Sequence, residues 1–158
     1  MDKKVLISFG IFLLCFILVI SGMEIYKNLT KVKVLKEQTI ADVSFDEDKK
    51  NIYLFWGNGC VHCEDLRVYL EENTDLWQDD YQIFSFEVNE NEENYQLVQD
   101  LLSQFDQEFE GTPTMIIGSA VIVGFGDNTA DEIARALEEQ KDNSYDVVKE
   151  YQNNNEEE

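Results

Sequence analysis

The sequence predicts an α/β fold: a small mixed sheet in the order strand-helix-strand-helix-hairpin-helix, with helices on both faces, behind one N-terminal transmembrane helix. Three observations predict it. Two apolar, aromatic-rich runs, "NIYLFWG" (51–57) and "YQIFSFEV" (81–88), are each followed by apolar residues at helical spacing. Such alternation implies a parallel strand pair joined by a right-handed crossover. A later segment, "EGTPTMIIGSAVIVGFGD", holds two short β-rich runs broken by Gly118-Ser119, which reads as a hairpin.

The elements follow in chain order. Residues 5–23 are uncharged and mostly apolar, behind the stub Met1-Asp2-Lys3-Lys4 (1–4). That run is long enough to cross a bilayer as a helix. A cleavable signal peptide, cut near Ser21 or Gly22, has a similar plan; a single-pass signal-anchor is the preferred reading. Residues 24–45 read as a stalk, its first part a charged helix. The first strand follows at 51–57 and closes on Gly-Asn-Gly. A helix over about 60–73 places Leu66, Tyr69 and Leu70 on one side. The second strand leads to "NEENYQLVQDLLSQF", an amphipathic helix with Tyr95, Leu97, Val98, Leu101, Leu102 and Phe105 inward. The hairpin strands are Thr114 to Ile117 and Ala120 to Val123. "TADEIARALEEQK" is a last helix, with Thr129 as N-cap, Glu132 completing a capping box, and Ile133, Ala134 and Leu137 inward. The folded domain spans 46–142. Residues 143–158 form a polar, acidic tail, expected to be disordered.

The formal net charge is −21. A field of that sign repels nucleic acid, and the sequence shows no basic patch, so nucleic acid is excluded as a partner. Lys27, Lys31, Lys33 and Lys36 follow the span and, by the positive-inside rule, argue for a cytoplasmic domain. Two features argue the other way. The apolar run begins almost at the first residue, as an export signal does. A cysteine pair held at a membrane also has its task outside the reducing cytosol. The preferred reading is an extracytoplasmic domain at the cell membrane, with the lysines meeting anionic headgroups. A cleaved, secreted form is the alternative.

"WGNGCVHCEDL" (56–66) carries the chemistry. Cys60 and Cys63 lie at a strand-loop-helix junction, where a helix N-terminus presents free N–H groups and the positive end of its dipole. A thiolate there is stabilised and becomes nucleophilic. Cysteines three apart on the first turn can close locally. Cys60, at the exposed start, is the attacking sulfur; Cys63, turned inward, is the resolving one. His62 is the only histidine in the chain. When charged, its imidazole favours the Cys60 thiolate, which makes the disulfide more oxidising.

"FWGNGCVHC", followed downstream by "GTPT", resembles the thioredoxin superfamily, over residues 45–142. The resemblance implies a thioredoxin-like fold and a thiol-disulfide oxidoreductase that needs no cofactor. Pro113, the only proline, matches that family's cis-proline facing the disulfide. Thr112 before it offers its backbone to an extended substrate segment, and Trp56 is a further substrate-binding residue. The implied partners are protein thiols and disulfides outside the cytoplasm, with a separate redox partner. The Val61-His62 dipeptide is similar to that of extracytoplasmic oxidases and isomerases. The overall plan resembles membrane-tethered proteins of Gram-positive bacteria, including accessory proteins of bacteriocin export.

One position departs from the pattern. Six residues before the first cysteine, where thioredoxins carry a buried carboxylate that takes a proton from the resolving thiol, this chain has Leu54. Glu87 on the second strand is a candidate substitute base; a strand-end charge facing solvent is the expectation. Two other functions stay open on the residues alone. Cys60, His62 and Cys63 offer soft ligands to copper or zinc, short of a closed four-ligand site. A non-catalytic binding module stapled by its cysteines is the other.

Overall fold

In the computed structural model, the chain divides into two compact units, Met1–Val32 and Lys33–Glu158. The structure describes residues 33–156 and, before them, Phe16 alone. The expected span over 5–23 lies outside the described residues. Among the described residues, no helix is long and apolar enough to cross a membrane.

Four strands form one sheet: β1 (Lys50–Trp56), β2 (Tyr81–Glu87), β3 (Thr114–Ile117) and β4 (Ala120–Val123), in spatial order β2-β1-β3-β4. β1 runs parallel to β2, with Trp56 opposite Glu87. It runs antiparallel to β3, with Phe55 opposite Thr114. The hairpin pairs Thr114 with Val123. Among the described residues, four helices flank the sheet: α1 (Val61–Glu72), α2 (Glu92–Ser103), α3 (Thr129–Gln140) and α4 (Val147–Glu156).

β1 is apolar from Ile52 to Trp56, as suits a strand covered on both faces. Alternate residues point to opposite sides of a strand. Ile52 and Leu54 join Leu66 and Leu70 of α1, Met115 and Ile117 of β3, and Ile133, Ala136 and Leu137 of α3. Tyr53 and Phe55 join Phe84 and Phe86 of β2, Leu97, Val98, Leu101 and Leu102 of α2, and Val147 and Val148 of α4. The result is a three-layer mixed α/β domain, consistent with a thioredoxin-like plan.

Four expectations are corrected. The segment after residue 32 is not a helical stalk. It is extended, with one 3-10 turn at Ile40–Asp42, and Val34 is buried in the core. It covers the open edge of β2. Lys36 N–H donates to Ser85 Oγ at 2.7 Å, Ser85 Oγ donates to the Lys36 carbonyl, and Ser85 N–H donates to Gln38 Oε1. A strand edge left bare invites pairing with other chains, and this segment blocks it.

The acidic tail is not disordered through residue 156. It forms α4, because Val147 and Val148 find an apolar site on the sheet. Asp146 anchors its start: its carboxylate accepts the N–H groups of Val148 and Lys149, the Tyr53 hydroxyl and the Asn51 amide. At α3, Asn128 rather than Thr129 is the N-cap, with no side-chain capping bond. Thr129 Oγ1 accepts the Gly126 N–H instead. Ala136, not Ala134, completes the buried face, since it lies one turn from Ile133.

Candidate active site

The site forms where β1 stops. Val88 N–H donates to the Trp56 carbonyl, which ends the parallel ladder. The chain then turns: Cys60 N–H donates to the Gly57 carbonyl at 3.2 Å, with Gly59 at φ 76°, a conformation open to glycine at little cost. α1 begins at once. Cys60 is its N-cap, and the Cys60 sulfur accepts the Cys63 N–H at 3.1 Å. An orphan donor of the first turn thus points at a sulfur instead of the usual capping oxygen.

Cys60 and Cys63 form a disulfide, their Cα atoms 5.3 Å apart. The two sulfurs differ in access: Cys60 is half-buried, whereas Cys63 is 1% exposed. Only Cys60 can be reached by a partner. Cys60 Sγ lies 3.7 Å from the Thr112 carbonyl oxygen. Thr112 precedes Pro113 through a cis peptide bond at the entrance to β3. Pairing of β1 with β3 brings residue 112 against residue 60 across the sheet end. The sequence-predicted residues Cys60, Cys63, Thr112 and Pro113 are therefore gathered at one place.

Trp56 also belongs there. It lines an open groove of about 330 Å³ with Leu35, Gly57, Asn58, Gly59, Cys60, Val61, Cys63 and Glu64. Its indole N–H is buried and has no hydrogen-bond partner among the described residues. One apolar residue of this groove, Leu35, was not expected at the site. Leu35 lies in the segment read as a stalk, so no local signal pointed to it. Val61, directly after Cys60, is 71% exposed.

His62 is exposed on the first turn of α1, beside both cysteines in sequence. Glu64 is exposed too, and its charge is met by Arg67. The hydrogen bond from Arg67 holds the Glu64 carboxyl below its usual range. Arg67 also pairs with Glu71. Glu64 therefore opposes a thiolate less than its charge suggests. Among the described residues, no group of three or more His, Cys, Asp or Glu is placed to hold a metal ion.

Leu54 is fully buried among apolar side chains. Glu87 does not face solvent, against expectation: it is 4% exposed. Its Oε1 accepts the N–H groups of Asn58 and Asn89, and its Oε2 that of Glu90. Burial alone would push its carboxyl up. The backbone donors of Glu90, Asn58, Asn89 and Asn91 outweigh that and hold it below its ordinary value. A carboxylate so occupied is a poor proton acceptor, so Glu87 does not replace the missing acid.

A disulfide across the first turn of a helix, with its outer sulfur accessible and its inner sulfur buried, has the arrangement that thiol-disulfide exchange requires. No protein-family model matches the chain, and no curated protein matches it. Among solved structures, it is similar to the crystal structure of a disulphide isomerase from Xylella fastidiosa Temecula1. The identity is 20% and the TM-score 0.37, over 66% of this chain and 79% of that one. At that similarity, the functional reading rests on this chain's own geometry.

Proposed function

We propose that the chain is a membrane-tethered enzyme that exchanges disulfides with protein thiols outside the cytoplasm. The Cys60–Cys63 disulfide, with its accessible sulfur beside the Thr112 carbonyl, carries the reading. In the oxidising direction a partner thiolate attacks Cys60 Sγ. The Cys60–Cys63 bond breaks, Cys63 leaves as a thiolate, and the partner is joined to Cys60. A second partner thiolate attacks the partner's own sulfur in that mixed disulfide. The partner's disulfide forms and Cys60 leaves as a thiolate. Two electrons have moved to the cysteine pair, and a separate redox partner must remove them. Reduction of a partner runs through the same steps in reverse, and Cys63 then resolves the mixed disulfide.

The other residues take supporting parts. Thr112 and Pro113 hold an extended partner segment beside Cys60, and Trp56 lines its groove. His62 favours the thiolate. The apolar run 5–23 supports the tether, and the plan suits Gram-positive membrane-anchored thioredoxin-like proteins, including those accessory to bacteriocin export. Cys63→Ala should accumulate reductant-sensitive covalent complexes in cells, and Cys60→Ala none. Equal trapping by both would overturn the order of attack. Protease added to intact cells should remove the domain; full protection until lysis would place it inside.

A further inference from the structure

We propose that Glu87 is a positioning residue for Cys60: its carboxylate latches the loop 57–60 to the end of β2. This rests on the exchange reaction proposed above and adds a residue to it.

Glu87 carries a buried charge, which must be met by donors. All of its backbone donors but one are local. Asn89 and Glu90 belong to the turn that follows β2, and capping them would explain a carboxylate there. Asn58 is different. It lies in the loop between β1 and α1, and its N–H donates to Glu87 Oε1 at 3.0 Å across 29 residues of chain. That loop is held at two further points by the same turn. Asn58 Nδ2 donates to the Glu90 carboxylate at 3.2 Å. The Asn89 side chain occupies the space a Cβ on Gly57 would fill. These contacts and the Gly57 carbonyl bond to Cys60 N–H hold the loop at both its ends. Cys60 is its last residue, so the latch fixes where the attacking sulfur stands relative to Thr112. Attack on a disulfide is sensitive to alignment, and misplacement by about 1 Å can cost ~100-fold.

Reach, rather than charge, is what the latch requires. Glu87→Gln keeps an oxygen at the Oε1 position, where Asn58 and Asn89 donate; it loses the charge and the local bond from Glu90 N–H, which its amide nitrogen cannot accept, but not the bond that crosses to the loop. Glu87→Asp keeps the charge and is one methylene shorter. Both are made in the full-length chain carrying Cys63→Ala, purified in detergent and reduced. Glutathione disulfide is the probe. Cys60 thiolate forms a mixed disulfide with one glutathione and releases the other as thiolate. Amide exchange is read at Asn58 and at Ile116 in the sheet core.

The expected result for Glu87→Gln is a rate within about threefold of the parent, with Asn58 still protected. Glu87→Asp should react about tenfold more slowly and lose Asn58 protection, with Ile116 unchanged. A parent rate in Glu87→Asp overturns the proposal. So does a Gln variant as slow as the Asp variant, or an unprotected Asn58 with no loss of rate. A parent chain inert to glutathione disulfide overturns the oxidoreductase reading itself, and this inference with it. An active parent with any of the three preceding outcomes sinks the latch alone.

Discussion

His62 stands between the two cysteines and is exposed, so its influence on them is electrostatic and not steric. A positive imidazole beside a thiolate stabilises the reduced pair. His62→Ala should therefore make the pair more reducing. The expected change is about tenfold in the equilibrium constant against glutathione, or ~30 mV for this two-electron couple. An unchanged constant would leave His62 a surface residue. Leu54 bears on the other sulfur. Cys63 is buried, and Leu54, at the position where an acid would serve it, packs among apolar side chains. Resolution of a mixed disulfide should then quicken as pH rises through neutrality. Leu54→Asp should quicken it near neutral pH and weaken its pH dependence, at a stability cost of about 3–5 kcal/mol for a buried, unpaired acid. Stopped-flow rates with a glutathionylated Cys60 would decide this; flat profiles in both forms would mean that another base serves.

α4 shows where sequence reading failed and why. Its stretch is rich in Asn, Gln and Glu, and only Val147, Val148 and Tyr151 meet the core. Two adjacent valines make no period, and the carboxylate that starts the helix is held by Asn51 and Tyr53, more than ninety residues away. Asp146→Ala removes the cap and leaves those two buried polar groups unpaired. The expected loss is about 3 kcal/mol, seen as a lower urea midpoint with an unchanged slope. A loss under about 0.5 kcal/mol would mean that α4 does not depend on this anchor. β1 and the hairpin were legible because both faces or both strands announce themselves within a few residues. The cysteine pair and Pro113 were legible for a like reason: few residue types do that chemistry, and here they are few in number. Glu87 was not. Its partners are backbone N–H groups of two loops, and sequence does not record which loop closes over which strand end.

At the scale of the whole domain, tyrosines buried under acidic surroundings shape the alkaline limit of stability. Tyr81 is 2% exposed, and its hydroxyl donates to the Leu137 carbonyl at 2.6 Å. Burial pushes the phenol up to about 12, and the charges of Asp80, Glu138 and Asp142 push the same way. Tyr53 is raised as well, by burial and by Asp146 beside it. A group that holds its proton more tightly when folded contributes its stability in full below its unfolded value, here 10.0. That contribution is lost as pH rises through the folded value. The domain should therefore lose stability steeply between pH 10 and about 12. Tyr81→Phe cannot ionise, so its stability should fall less over that interval. The same variant lacks the bond to Leu137 and should start about 1 kcal/mol lower at neutral pH. Urea unfolding of both proteins across the interval separates the two effects: the offset appears at neutral pH, and the difference in slope only above 10. If the two curves stay parallel up to pH 12, the Tyr81 hydroxyl ionises alike in the folded and unfolded chain. The alkaline limb would then belong to Tyr53 and to the repulsion among acidic groups that a net charge of −21 imposes.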